Sequence, residues 1–398
     1  MHADRNLGTI RGAARMSACA VLGAALVYGG VRLSDAFSGT LDQPEIGYAT
    51  LPVTDAVTRL NQKIVSGEVS LDRQLTVGYL PAVLAALQIP VESQMVVFAR
   101  DSLQERIIYP DNPRTIFFND SVAVGWVRGE PFVEVAAQDP RQGIHFYTLN
   151  QSDVHPRFAR QDSELCLRCH ESYAALDIPG MLVRSSPVAA DGMPNRDQGN
   201  YVTDDRSPFG ERWGGWFVTG DIGSMKHLGN QAGGAAMHPF SGDGYLSKSS
   251  DIVALMVFDH QMRMMNLITR LNWEFRVQKP AELEDAVNEF VDYLLFRNEA
   301  PLPAPVRGSS GFAEKFAAEG PRDHMGRSLR DLDLKKRLMR YPCSYMIGSD
   351  AFDGMPEAAK SAIYRRMWTV LSADSRPEAK VALEILAETK KDWPYRGR

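Results

Sequence analysis

Between residues 90 and 150, hydrophobic positions alternate with polar ones in short runs that are rich in β-branched and aromatic side chains. A period of two is typical of strands that bury one face. Turn-forming sequences such as Asp-Asn-Pro and Arg-Gly-Glu-Pro separate the runs. The pattern therefore predicts an antiparallel β unit of about six strands. The predicted strands cover residues 96–98, 107–109, 115–118, 122–127, 132–135 and 145–147.

Two other parts of the chain have hydrophobic residues at the 3.6-residue spacing that is typical of an α-helix. Leu80 to Leu87 forms an apolar run that predicts a short buried helix, which Pro90 closes. From residue 250 onward the helical period dominates, and Ser250-Asp251 is the predicted cap of a helix that extends to about Trp273. Further helices are predicted over residues 281–297, 327–340, 356–372 and 376–390.

Residues 151–249 are rich in Gly, Pro, Asp and Ser and have little periodicity. A loop-dominated stretch of this length is unusual inside a compact protein unless it is functional or encloses a ligand. We therefore expect an α+β protein with an antiparallel β part at 37–150, a loop-rich central region and a helical part at 250–398. Residues 300–304 and 308–311 are the best candidates for a domain boundary, and we expect both to be loops.

The first 36 residues resemble an export signal. Three arginines lead into an apolar segment at residues 16–31, and the small-x-small sequence Ser34-Asp35-Ala36 follows it. We expect cleavage that leaves a mature chain from about Phe37. The alternative is an uncleaved N-terminal membrane anchor, because Leu33 and the small residues lengthen the apolar segment. Either interpretation places the remainder of the chain outside the cytoplasm, in the periplasm of a bacterial cell.

The composition and net charge of the chain limit the kinds of partner that it is expected to bind. The chain has 398 residues, 44% of them hydrophobic and 23% charged, which is the profile of an ordinary globular protein. Its 44 Lys and Arg residues against 49 Asp and Glu residues give a net charge of −5, and no basic block interrupts the sequence. Nucleic-acid binding is therefore not expected.

The chemistry-bearing motif is Cys166-Leu167-Arg168-Cys169-His170, the C-x-x-C-H pattern of covalent haem attachment. Its spacing suits one porphyrin, because the two thiols add to the two vinyl groups and the histidine supplies the proximal iron ligand. Structural zinc is an alternative, but it needs four ligands, and only Cys343 and scattered histidines are left to complete the set. A redox-active dithiol is another alternative, although no βαβ pattern surrounds the motif.

Residues 164–171, together with the export signal, resemble c-type cytochromes. The segments at 212–220 (RWGGWFVTG) and 227–230 (HLGN) are also similar to those of large exported bacterial single-haem proteins of unknown activity. The first resemblance covers only the attachment motif and its helix. It implies one covalent haem c, held by Cys166, Cys169 and His170, with electron transfer to a redox partner protein as the default function.

The sixth iron ligand decides between functions. His227, in a glycine-rich loop, and Met225 are the main candidates for the distal ligand, and His238 is a further one. Two strong axial ligands are typical of an electron carrier, whereas an open distal site is typical of a haem enzyme or a gas sensor. About 360 mature residues is more protein than electron carriage needs. A peroxidase-like or oxygenase-like haem enzyme and a haem-based gas sensor or binding module therefore stay open as alternatives.

In the enzyme alternative, His227 or His260 is the candidate distal acid/base. His260 lies on the predicted helix that begins at Ser250-Asp251, and Met264 shares its helix face. A histidine in that setting is more often part of the core, so we expect His260 to be buried there. Cys343 is left over once haem takes two cysteines, and we expect a buried and unreactive thiol.

Overall fold

The computed structural model describes residue 41, residues 43–161 and residues 164–396. The predicted signal peptide or anchor lies outside these residues. Among the helices that are described, none is long and apolar enough to cross a membrane.

An antiparallel sheet of seven strands forms the framework of the described chain. Its first six strands pair in sequence order, each with the next. The edge strand beside β1 comes from the central region and pairs Trp216 with Val97. Two small ribbons, β7–β8 and β10–β11, complete the β structure described. The strands are β1 (Met95–Val97), β2 (Arg114–Phe118), β3 (Val122–Val127), β4 (Phe132–Asp139), β5 (Gly143–Asn150), β6 (Phe158–Arg160), β7 (Val183–Ser185), β8 (Tyr201–Thr203), β9 (Trp216–Phe217), β10 (Gln231–Ala232) and β11 (Ala235–Ala236).

Helices cover both faces of the large sheet. They are α1 (Ala56–Val65), α2 (Leu80–Ala86), α3 (Glu164–His170), α4 (Ile252–Val277), α5 (Glu284–Leu294), α6 (Phe312–Ala318), α7 (Asp350–Asp353), α8 (Glu357–Ala373) and α9 (Pro377–Thr389). Side chains alternate across the strands. One set, such as Val135 and Leu149, packs with α1 and α2. The other set, such as Ala136 and Phe146, packs with α4 and the C-terminal helices.

Helix α4 is the centre of the larger core. It is 26 residues long and buried almost all round, as expected for a helix that is enclosed by other elements. Asp251 caps it by accepting hydrogen bonds from the N–H groups of Val253 and Ala254. The loop at 308–311 packs on this cap, and Ser309 and Ser310 donate their N–H groups to the same carboxylate. The helical part and the sheet therefore share one core.

The predicted α+β class is confirmed, with the sheet region at 95–160 and the helices toward the C-terminus. The strand predicted at 107–109 is wrong. The N–H groups of Ile107 and Ile108 both bond the carbonyl of Gln104, and Asn112 donates its side-chain amide to the carbonyl of Ile107. These local hydrogen bonds form a turn and leave the segment outside the sheet ladder.

The helix predicted at 327–340 is also wrong. Aspartate side chains accept hydrogen bonds from backbone N–H groups along this segment. Asp331 accepts from the N–H of Ser328, and Asp333 accepts from the N–H groups of Lys335 and Lys336. Such bonds compete with the helical ladder, and the segment folds into turns instead.

Candidate functional site

The C-x-x-C-H motif occupies α3, with both cysteines on the helix and His170 at its end. Leu167 is buried and anchors α3 to the larger core. Both cysteine thiols are free of disulfides; Cys166 is half-buried and Cys169 is exposed. Residues three apart lie on the same side of a helix. Burial, with Glu134 nearby, raises the pKa of Cys166. The motif thus offers two neighbouring thiols that reagents can reach.

His170 is held by its Nδ1 atom. This atom lies 2.9 Å from the carbonyl oxygen of Gly180, and a carbonyl can only accept, so Nδ1 carries the proton. Nε2 then has the lone pair and makes no hydrogen bond with the described residues. The ring of Phe146 packs beside the imidazole at 4.6 Å between centroids. Burial lowers the pKa of His170. A neutral imidazole with one nitrogen tied to a carbonyl is the usual arrangement of a metal-ligating histidine.

Helix α4 fixes the partner of His170. The N–H of Gly180 donates to the carbonyl of His170 at 2.8 Å, so the loop after α3 closes back on the end of the helix. Asn266 then clamps the next residue, because its Oδ1 accepts from the N–H of Met181 and its Nδ2 donates to the carbonyl of Met181. A Cβ at position 180 would lie 2.5 Å from Asn266 Oδ1. Only glycine allows this close approach.

An ion pair lies on the side of the sheet near α3. Arg114 on β2 reaches across β3 to Glu134 on β4, with 2.7 Å between Nη2 and Oε2. The crossing is possible because Gly125 lies between them, and a Cβ there would be 2.3 Å from Arg114 Nη2. Both charges act on His170, and that of Glu134 also acts on Cys166.

The structure places His227 and Met225 in the glycine-rich loop after β9. His227 packs edge-on against Trp213 at 5.6 Å between ring centroids, and its Nδ1 is buried without a hydrogen-bond partner. Burial also lowers the pKa of His227. Met225 is buried, and His238 is exposed. Among the described residues, no hydrogen bond, ion pair or ring contact joins these side chains to α3. A distal role for any of them stays a prediction.

His260 is fully buried in the larger core, where it stacks between Tyr293 and Phe296. Its Nε2 lies 2.8 Å from Ser344 Oγ, and its Nδ1 lies 3.4 Å from Asp205 Oδ2. The order of side chains is that of a hydrolase triad, but the contact between His260 Nδ1 and Asp205 is not a hydrogen bond. However, the Ser344 hydroxyl has no access to solvent, so no substrate can touch it in this state. The distal acid/base role of His260 stays a prediction as well.

Sequence reasoning missed Gly180, Asn266 and a cavity next to them. Asn266 is one of several polar residues in a segment that is predicted to be a core helix, and buried polar groups are informative, but nothing in the sequence singles it out from the others. The cavity has a volume of about 300 Å³ and lies between the segment after α3 and helix α4. Arg206 and Arg263 contribute to its wall.

A metal site formed by protein side chains alone is not found in the part of the chain that is described. No group of three or more His, Cys, Asp or Glu side chains there is arranged to hold a metal ion. No family model matches the chain, and no curated protein or solved structure is significantly similar to it. Only the residues of this chain and their geometry therefore indicate its function.

Proposed function

We propose that the chain is an exported c-type cytochrome that carries one covalent haem and transfers electrons to a redox partner protein. Cys166 and Cys169 are the attachment thiols, and His170 is the proximal iron ligand. The observation that carries the proposal is the state of His170. Directly after two unpaired thiols, its Nδ1 is committed to the Gly180 carbonyl while Nε2 keeps its lone pair without a partner.

The residues present fit haem attachment. With haem bound, each thiol would add across one vinyl group: the sulfur would bond one vinyl carbon, the thiol hydrogen would go to the other, and no group would leave. This reaction needs two thiols close together and open to a maturation enzyme, which agrees with the half-buried Cys166 and the exposed Cys169. When bound, haem supplies a one-electron redox couple at its iron.

The chain's own residues set the environment of that couple. The carbonyl of Gly180 accepts from Nδ1–H and thereby makes the imidazole a stronger donor at Nε2. Asn266 holds the following peptide and so keeps this carbonyl in place. The Arg114–Glu134 pair adds a fixed dipole near the histidine, and charge and hydrogen bonding near haem tune its potential.

A haem enzyme is the second candidate, and the cavity favours it. An electron carrier needs no space for a small molecule, whereas the chain has a cavity of about 300 Å³ that begins three residues after His170, at Tyr173. Carbon monoxide separates the two candidates. A ferrous spectrum that carbon monoxide leaves unchanged indicates two strong axial ligands and the carrier, while a carbon monoxide complex indicates an open site and favours the enzyme.

Covalent attachment is tested by acid–acetone extraction of protein from a host that has a haem-maturation system. We expect the colour to stay with the wild-type chain and to be lost from a Cys166→Ser, Cys169→Ser double variant. Cys343→Ala is the matched control, because Cys343 is a buried thiol outside the motif, and it should keep the haem. His170→Ala should keep the thioether bonds but change the absorption spectrum of the haem. Colour that leaves the wild-type protein would overturn the proposal.

A further inference from the structure

The cavity beside α4 offers two guanidinium groups that are held in place. Arg206 makes a bidentate contact with Asp204, with Nε to Oδ1 at 3.2 Å and Nη2 to Oδ2 at 2.6 Å. Its guanidinium carbon lies 4.9 Å from the centre of the Tyr293 ring. Arg263 directs Nη2 at Glu289, 3.3 Å from Oε1. Such fixed geometry lowers the entropy lost when a ligand binds.

Each arginine has one guanidinium nitrogen, Nη1, that makes no hydrogen bond with the described residues. The Nη1 atom of neither Arg206 nor Arg263 has a hydrogen-bond partner among the described residues, and neither atom is among the buried ones. The two side chains are 35% and 20% exposed, so these donors face solvent. Arg263 also buries its Nε without a partner. The two Nη1 atoms are therefore free to exchange water for an acceptor on a ligand.

The two arginines at the cavity are each paired with a carboxylate. The cavity lining contains two arginines and one carboxylate, that of Asp204. Burial opposes ionisation of Asp204, but the hydrogen bond from Arg206 and the charge of Arg263 lower its pKa. Asp204 offsets the charge of Arg206 and Glu289 offsets that of Arg263, so a ligand is recognised through hydrogen bonds from the two free Nη1 atoms and not through an excess of positive charge.

Apart from Thr203 and Asn266, the rest of the wall is apolar. Met181, Leu182, Val183 and Met262 lie along it, and the exposed Tyr173 and Val202 lie at its rim. The volume of about 300 Å³ is at the lower end of the range for small-molecule sites. A ligand that matches this surface has one anionic group and a compact hydrophobic body.

We infer that this cavity binds a small carboxylate with a compact apolar body, whose oxygens accept hydrogen bonds from Nη1 of Arg206 and Arg263. Arginine suits this role because its planar fork matches a carboxylate. The carboxylate has two possible sources, a free organic acid or a propionate of the attached porphyrin. The inference itself holds whether or not haem is attached.

Isothermal titration calorimetry with benzoate and pentanoate tests the inference, with benzamide as the uncharged control. The titrations use the full chain as purified with haem and the Cys166→Ser, Cys169→Ser variant. We expect binding of at least one acid and none of benzamide. Arg263→Gln and Arg206→Gln should each weaken binding by about tenfold or more, as expected for loss of one charge-assisted hydrogen bond.

Arg376→Gln is the matched control. Arg376 makes the same bidentate contact with an aspartate two residues earlier, Asp374, but it does not line the cavity. This variant should bind as tightly as the wild type. Arg263→Lys keeps the charge and should weaken binding less than Arg263→Gln, which separates a lost ligand contact from a folding defect. Thermal unfolding of every variant checks that it is folded.

The outcomes separate the two sources. Binding to the haem-carrying chain indicates a free acid. Binding to the haem-free variant alone, together with a shifted midpoint potential in haem-carrying Arg263→Gln, indicates that a propionate fills the cavity. The inference is overturned if neither acid binds either form in the millimolar range and the arginine variants leave the midpoint potential unchanged. Haem attachment itself is read separately by acid–acetone extraction.

Discussion

At the scale of single residues, Gly180 determines how His170 is presented. Its carbonyl accepts the hydrogen bond from His170 Nδ1. Its lack of a side chain leaves room for Asn266, whose Oδ1 would lie only 2.5 Å from a Cβ at position 180. The Asn266 side chain cannot move away, because its amide hydrogen-bonds both the N–H and the carbonyl of Met181. A single methyl group at position 180 therefore displaces either the clamp or the histidine.

We accordingly expect Gly180→Ala to lower the free energy of unfolding by about 1–3 kcal/mol, the usual cost of overpacking. Urea denaturation followed by circular dichroism measures the change. Gly210→Ala is the control, because a Cβ at position 210 meets nothing within 4 Å. Equal stability of the two variants would show that the Asn266 clamp is not rigid.

His145 is a second residue with a large effect, although it lies outside the candidate site. It is fully buried, stacks on Tyr48 at 4.4 Å between centroids, and has its Nε2 2.9 Å from Gln142 Oε1. Burial, helped by the charge of Arg160, lowers its pKa from 6.5 to about 4. In the window between these values the unfolded chain binds the proton and the folded chain does not.

Stability should therefore fall as pH decreases from about 6.5 to about 4, and His145 should account for about 3 kcal/mol of that loss. Unfolding free energies at several pH values, for the wild type and His145→Gln, measure the contribution. The difference between the two proteins should change through this window in favour of the wild type at the higher pH. A difference that stays constant with pH would contradict the assignment.

At the scale of elements, periodicity predicted the regular segments well. The strands at 115–118 and 122–127 and the helices that begin near 252, 284, 357 and 377 are confirmed. It failed where polar side chains take over the backbone hydrogen bonds, as Asp331 and Asp333 do in the segment at 327–340. It also did not predict that β9 is an edge of the large sheet, because its pairing partner β1 is more than 100 residues away.

The cap of α4 is the element-scale feature with the clearest energetic consequence. Asp251 accepts hydrogen bonds from the start of α4 and from the loop that contains Ser309 and Ser310. Asp251→Ala removes the cap and leaves these buried donors unsatisfied, so we expect a loss of about 2 kcal/mol or more of unfolding free energy. Asp285→Ala, at an exposed position in the first turn of α5, should change stability much less.

Denaturant unfolding monitored by tryptophan fluorescence compares these two variants. A loss at Asp251→Ala no larger than that at Asp285→Ala would mean that the loop and the helix start do not depend on this carboxylate.

At the scale of the whole molecule, one core joins the sheet, the central loops and the C-terminal helices. The cluster around α4 includes Phe146 of the sheet, Leu167 of α3 and Trp213 of the central loops. This arrangement explains why a loop-rich stretch of about 100 residues folds within a compact protein, since its ordered positions come from packing on α4 and not from local periodicity.

The sequence predicted one half of the candidate site. The thiols and the histidine are adjacent in the chain, so spacing alone was sufficient to propose them. Gly180, Asn266 and the arginines of the cavity meet only through the tertiary fold, across sequence separations that no local pattern records. The distal side of the proposed haem stays a prediction, because no hydrogen bond, ion pair or ring contact in the described chain joins His227 or Met225 to α3, and the ring contact of His227 is with Trp213.

The central claim is that Cys166 and Cys169 carry one covalent haem. The most direct measurement is the intact mass of the denatured chain, after expression with a haem-maturation system, combined with mass spectrometry of its peptides. The account predicts the polypeptide mass plus one complete haem, located on the peptide that contains residues 166–170. A chain whose denatured mass is that of the polypeptide alone would contradict it.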